Sequence, residues 1–447
     1  MGLMEHESHG SAMVYGLEDK LPFGTALLVS LQQVSAMVVG VITPALLLAN
    51  ILKFPAGDTA YLVSMALFAA AVGTFFQTSR FGLLGSGLLS VTGTSFAFIQ
   101  PLIQAGQVGG LALMFGMSLV AAPVPLLLAP FLPKLRHVFS PLVSGIVVLL
   151  IGLSIIPEGM RGIVAPPAPG APAWAGALIA VIVIAAVLLA QAIGRPWTRL
   201  AGILFGVAAG YLACGLAGWL QAPPPNEQGW ITLPRLLPHG LAFRWEFALP
   251  FGFIYLVSLL EAMGDMTATA QLSGLKTRGP EHGARMRGGI FVDSLTSIVA
   301  ALVGSFPSTT YAQNNGVIQI TGVASRHVGK WMAAILVLLA IFPVVGRWVT
   351  AMPPAVLGGM ALLLFGLVSV AGLRLIFSAG LPHRNALIVA LALGIGLGAP
   401  SQPQWLETLP AVLRTLLASG ISAGGITALL LNVLLPGGRP GETGDQA

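Results

Sequence analysis

Apolar runs of about 20 residues recur fourteen times along these 447 residues, approximately at 24–49, 59–78, 83–106, 108–131, 137–156, 172–192, 198–219, 247–272, 287–304, 307–324, 328–346, 353–375, 383–399 and 415–436. A helix of that length spans the roughly 30 Å of hydrocarbon in a bilayer. Lipid offers no partner to a backbone amide, so such runs predict an all-α polytopic membrane protein. Composition agrees, with 56% hydrophobic and only 8% charged residues, against about a quarter charged in soluble domains. The lone Cys214 excludes an intramolecular disulfide and a thiolate metal cluster. The first 23 residues carry Glu5, Glu7, Glu18 and Asp19 without an apolar core, which reads as a short cytoplasmic tail and not a cleaved signal.

The net charge of +6 does not point to nucleic acid, because the basic residues sit in short loops between the runs. With the N-terminus inside, fifteen of the 21 Lys and Arg fall on the cytoplasmic side, among them Lys20, Arg80, Lys134, Arg136, Arg199, Arg326 and Arg439. That bias places both termini in the cytoplasm. The break at 220–246, with Pro223-Pro224-Pro225, separates seven runs (24–219) from seven (247–436), flanked by tails 1–23 and 437–447. An odd number per half forces opposite orientations, as inverted repeats require. Internal similarity supports the division. Gly93-Thr94-Ser95-Phe96-Ala97 in the third run parallels Ser308-Thr309-Thr310-Tyr311-Ala312-Gln313 in the tenth, and Pro141–Gly145 parallels Pro354–Gly358.

The tenth run is the polar exception. Thr309-Thr310-Tyr311-Ala312-Gln313-Asn314-Asn315-Gly316 carries three consecutive carboxamides in an apolar context. It predicts an extended break followed by a half-helix opening at Asn315-Gly316, with a matching break in the third run around Phe96 and Ala97. Broken segments in matching halves mark a binding site. Gln313 and Asn314 would offer donors and acceptors to a planar, amide-like ligand; the alternative is a polar kink that packs two helices. The eighth run holds Glu261 and Asp265, one turn apart on one helical face. A carboxyl in the membrane is costly and marks a functional position facing a cavity. Two neighbouring carboxyls removed from water take up protons readily, as a proton-coupled carrier needs; the alternative is that they accept backbone hydrogen bonds from the broken segments.

Gln313-Asn314-Asn315-Gly316, followed by Thr321 and Arg326, resembles the signature of the nucleobase–ascorbate transporter family, closest to the bacterial xanthine and uric acid permeases, and the resemblance runs from Tyr15-Gly16-Leu17-Glu18 to Asn432–Pro436. It implies two interleaved seven-span repeats forming a core and a gate domain, and a homodimer through the gate. It implies that Glu261 is the acidic substrate ligand with Asp265 a turn away, that Gln313 is the amide ligand with Asn314 beside it, and that Phe96 stacks on a purine near the Ala97 amide. Uracil-type members carry Glu in place of Gln313 and His in place of Asp265, so this chain sides with the oxidised-purine group. Asp293 in the ninth run is a third acid, for coupling or for bracing the tenth run. Relatives carry His where this chain has Gln33, which keeps hydrogen bonding but not titration, and Ser419 matches a position linked to purine selectivity. The expectation is a proton symporter of the bacterial inner membrane, importing xanthine or uric acid by alternating access, with no cofactor and no nucleic-acid partner. Uracil or a broad nucleobase range is the alternative. An anion transporter of the same architecture is disfavoured, because two acids and no deep Arg or Lys line the site. An intramembrane enzyme lacks a metal-ligand cluster or activated nucleophile.

Overall fold

The computed structural model describes residues 13–131, 140–195, 198, 201–220, 230–342, 346–348 and 351–435. The basic residues Lys134, Arg136, Arg199 and Arg439, the tail beyond 435, residues 1–12 and part of the central loop (221–229) lie outside the described residues. Within them, sixteen α-helices and two short strands follow in order: α1 (Phe23–Leu52), α2 (Ala56–Thr78), β1 (Thr92–Thr94), α3 (Ile99–Ala121), α4 (Val124–Leu128), α5 (Pro141–Val164), α6 (Ala175–Ala192), α7 (Gly202–Leu216), α8 (Ala248–Leu272), α9 (Pro280–Val303), β2 (Ser308–Thr310), α10 (Gln313–Thr321), α11 (Val328–Ile341), α12 (Pro354–Ser378), α13 (His383–Gly398), α14 (Pro403–Glu407), α15 (Ala411–Ala418) and α16 (Gly420–Leu434). Nine described helical stretches are long and apolar enough to cross a membrane, ten if the bent pair α15–α16 counts as one.

The helices sort into two packed groups. One holds α1, α2, α3 and α8 to α11, and the other α5, α6, α7, α12, α13 and α16. The pair α5 and α12 shows why the second group is glycine-rich. A Cβ added at Gly145 would lie 2.9 Å from the Gly372 carbonyl oxygen, and one at Gly358 2.6 Å from that of Gly159. The two helices therefore touch backbone to backbone and antiparallel, a contact that small residues allow in lipid. Both begin with proline in the first turn, where the missing N–H costs nothing.

In the first group, β1 and β2 pair antiparallel, with Gly93 opposite Thr309. Outside this pairing, Ser297 of α9 braces β2: its hydroxyl accepts from the Ser308 amide at 3.1 Å and donates to the Ser308 carbonyl at 3.2 Å. Tyr311 follows β2 and lies in a slot between two glycines, since added Cβ atoms would meet its ring at 3.2 Å from Gly40 and 2.6 Å from Gly93. Its hydroxyl donates to the Thr94 carbonyl at 2.7 Å, fastening the two halves together.

Three local expectations are revised. The half-helix α10 opens at Gln313, two residues earlier than Asn315-Gly316 suggested, because Ala312 already has helical φ/ψ and its carbonyl receives the Asn315 amide at 3.0 Å. The last run bends by 97° at Ser419, whose extended backbone separates α15 from α16. The Ser419 hydroxyl is the N-cap of α16, accepting from the Ser422 amide at 3.3 Å. Finally, the break expected between the runs at 83–106 and 108–131 falls at Gly109 and Gly110, which leave helical geometry inside α3.

Candidate functional site

The strand pair ends where α8 passes. Thr310 Oγ1 makes a long bond of 3.5 Å to the Ala262 carbonyl. Two turns on, Thr269 Oγ1 donates to Asn315 Oδ1 at 2.7 Å, and Asn315 Nδ2 reaches the Asp265 carbonyl at 3.5 Å. These contacts lay α8 from Ala262 to Thr269 along the start of α10, so Glu261 and Asp265 stand beside the half-helix that carries Gln313. In this brace Thr269 had no role from sequence, and Asn315 was read there only as the opening of the half-helix. Their only signal was polarity within apolar runs.

Glu261 and Asp265 are half-buried, and Gly264, Ala268 and Gln271 on the same face of α8 are exposed. On α10 the matching stripe is Gln313, Gly316 and Gln319. Surfaces that face lipid in this chain carry large apolar residues, such as Leu178, Val181, Leu188 and Leu189 on α6. The small and polar stripes on α8 and α10 therefore border an aqueous cleft, since a charged or amide group against lipid would cost several kcal/mol. Gln313 is the first residue of α10, where the helix N-terminus leaves backbone amides without intrahelical partners.

Asn314, expected beside Gln313 on the ligand, points the other way. It is buried and its amide donates to the Leu89 carbonyl just before β1. Consecutive helical residues diverge by about 100°, so one carboxamide faces the cleft and its neighbour clamps the strand pair. Phe96 opens a single 3-10 turn after β1; its ring stacks on Tyr311 (centroids 6.4 Å apart, 16° between planes) and meets Phe365 edge-on at 5.3 Å. Ala97, buried, is the second residue of that turn, so its amide belongs to the unsatisfied N-terminal set.

Asp293 is 8% exposed and accepts from Gln77 Nε2 at 3.3 Å. Gln77 also donates to the Gly289 carbonyl and accepts from the Ser86 amide, each at 3.3 Å, so the pair ties α2, α9 and the chain before β1. The Ser294 hydroxyl has no protein partner among the described residues; it and Asp293 line a small cavity with Ser258, Ser297 and Tyr255. Gln33, 1% exposed on α1, also leaves both side-chain amide atoms unpartnered. Imidazole matches the carboxamide in donor and acceptor capacity and adds a group that titrates near neutrality. Gln33→His is therefore expected to retain uptake within about threefold, while changing its pH profile. Initial rates against external pH, at matched protein levels, check this; superimposable profiles would count against it.

A larger cavity, about 300 Å³, lies apart from these residues among Leu46, Asn50, Phe54, Thr59, Met352 and Pro353. Among the described residues it has no ionisable lining group.

Comparison with known proteins places the chain in a family. The chain is 41% identical over 442 residues to the xanthine permease XanQ of Escherichia coli, covering 96% of this chain and 95% of that one. It is 39% identical over 444 residues to the xanthine permease XanP of the same organism, with 96% of both covered. Among solved structures, its fold is similar to the transmembrane domain of the cyanobacterial bicarbonate transporter BicA (TM-score 0.58, 14% identity, 91% of this chain and 99% of that one) and to the murine anion transporter Slc26a9 in its inward-facing state (TM-score 0.60, 11% identity, 93% and 69%). The model of the Xan_ur_permease family, described as a permease family, matches residues 24–405. The chain is thus a multi-pass membrane protein belonging to the nucleobase–ascorbate transporter family of permeases, and a transporter by membership.

Proposed function

We propose that this protein imports an oxidised purine, xanthine or uric acid, across a bacterial inner membrane by proton symport and alternating access. The observation that carries the reading is the half-buried acid pair Glu261 and Asp265 beside the exposed Gln313, in a chain 41% identical to a xanthine permease. Gln313 and Glu261 hold the edges of the ring, and Phe96 with the Ala97 amide holds its face. Glu261 or Asp265 carries the proton, with Asp293 coupled behind them; Gln33 is an uncharged neighbour and Asn314 a clamp. The cleft stripes run from Gln313 and Glu261 toward the ends of α10 and α8 nearest Arg326 and Lys276, which the charge bias assigns to the cytoplasm. This supports an inward-open state.

Fourteen spans in two inverted sevens, 24–219 and 247–436, remain the preferred count. It is supported by the break at Gly109-Gly110, the bent α15–α16 pair, the shorter apolar helices α7 and α11, and the strand-led α10. Both termini are read as cytoplasmic, and assembly as a homodimer through the α5–α12 group follows the family resemblance.

The fold likeness to a bicarbonate transporter and an anion transporter raises a second reading, transport of an inorganic anion. Two acids at the cleft argue against it, because an inorganic anion would meet like charge without offering the ring N–H donors by which a purine, urate included, can bond a carboxylate. Parallel uptake of radiolabelled xanthine, urate, uracil and sulfate tests both: accumulation of xanthine or urate is expected, and accumulation of sulfate or uracil alone would overturn the proposal. Gln313→Glu is expected to weaken purine uptake by roughly 10-fold or more, since an acceptor replaces a donor–acceptor pair and the unmatched group loses a hydrogen bond. Competition by unlabelled purines and uracil reads it out; an unchanged profile would remove Gln313 from the ring edge.

A further inference from the structure

The segment before α1 does more than lead into the membrane. Residues 14–19 run alongside 322–326, and Tyr15 and Val323 form a parallel bridge. The amides of Val14 and Tyr15 donate to the Gly322 carbonyl at 2.8 and 3.2 Å; Ala324 donates to Tyr15 at 2.9 Å, and Arg326 to Leu17 at 3.0 Å. Ser325 Oγ donates to the Asp19 carbonyl. The Arg326 guanidinium closes the arrangement, giving Nε and Nη2 to Glu18 Oε2 at 2.9 and 2.7 Å.

Both ends of this contact lead to the cleft. Gly322, the residue gripped by two strap amides, terminates α10 in the left-handed conformation (φ 66°). Since α10 has only nine residues, it is a rod of about 13 Å, and a shift at Gly322 moves Gln313 at its other end. Leu17 is buried in an apolar cluster whose members from α8 are Leu259, Ala262, Met263, Met266 and Ala270, joined by Met286 and Ile290 of α9. The cluster runs along the buried face of α8, whose other face carries Glu261 and Asp265. One short segment therefore holds the end of α10 and the flank of α8 together.

We propose that residues 14–19 are a positioning strap that sets the height of α10 against α8, and so the spacing of Gln313 and Glu261, with Glu18 and Arg326 as its lock. This rests on the reading of those two residues as purine ligands. An exposed ion pair adds little to global stability, so breaking it moves the site without melting the fold. Burial and the Arg326 charge hold the imidazole of His327, beside Arg326, below its ordinary range. Among the described residues, Lys20 and Lys330 also act on His327.

The test is a charge exchange in the full chain. Glu18→Arg and Arg326→Glu are each expected to raise the KM for xanthine uptake about 5- to 10-fold, with Vmax per transporter within twofold. The double exchange is expected to restore KM to within twofold of the parent. Singles that lower only the amount of protein, or a double that does not recover, would overturn the strap. A substrate-independent arm uses Gln313→Cys in a Cys214→Ser background, labelled by a polar thiol reagent from the cytoplasmic side. Glu18→Arg should change that labelling rate at least threefold, roughly the effect of a displaced half-helix. An unchanged rate overturns the strap, whereas a changed rate, together with a parent chain (Gln313 intact) that does not accumulate xanthine, upholds the strap and rejects the substrate reading.

Discussion

Glu261→Gln is expected to abolish concentrative xanthine uptake while the protein still reaches the membrane in normal amounts. The amide has the same shape as the carboxylate, and Glu261 has an accessible face, so no packing is lost. What disappears is a charged acceptor for a ring N–H, worth about 1.5–3 kcal/mol, or roughly 10- to 150-fold in affinity. The exchangeable proton goes with it, leaving no gain from a proton gradient at that position. Accumulation ratios with and without a protonophore give the readout. A well-expressed Glu261→Gln protein that still accumulates xanthine would end the assignment of Glu261 as both ligand and proton carrier.

The second large effect is steric. Gly93→Val is expected to reduce uptake below about a tenth of the parent level and to lower the amount of folded protein, since overpacking a dense interior costs about 1–3 kcal/mol. The first added carbon would lie 2.6 Å from the Tyr311 ring and 2.8 Å from Val41. Tyr311 cannot retreat, because Gly40 lies behind it and its hydroxyl is bonded to Thr94. Displacing the ring also removes the aromatic stacked on Phe96. Tyr311→Leu in the same chain should recover expression more than transport. Western blots beside uptake separate the two, and a Gly93→Val protein of normal level and rate would show the slot to be loose.

The apolar lengths, the polar break at 309–316 and the acids of α8 were legible because hydrocarbon makes each polar residue conspicuous against its neighbours. Contacts that join distant parts of the chain were not. Asn314 and Gln313 look alike in sequence, and only the location of the Leu89 carbonyl decides which of them turns inward. The Tyr311 slot needs Gly40 and Gly93 from two different elements. Leu17 lies in a stretch that reads as a polar tail, yet it is buried by residues some 250 positions later. The bend at Ser419 was read as one straight run because Ser-Gly is tolerated in membrane helices, and its hydroxyl capping is a local choice that periodicity does not register.

Gly264 and Gly316 have a meaning for how such a carrier changes over generations. A Cβ at either would meet nothing within 4 Å, and neither backbone is left-handed. They are bare patches on the two walls of the cleft, next to Asp265 and one turn past Gln313. Methyl groups can be added there singly, narrowing the passage while leaving Glu261 and Gln313, the proposed ring ligands, unchanged. The aperture and the chemistry of recognition are thus separable, so a lineage could drift toward smaller heterocycles by single small steps without passing through an inactive form.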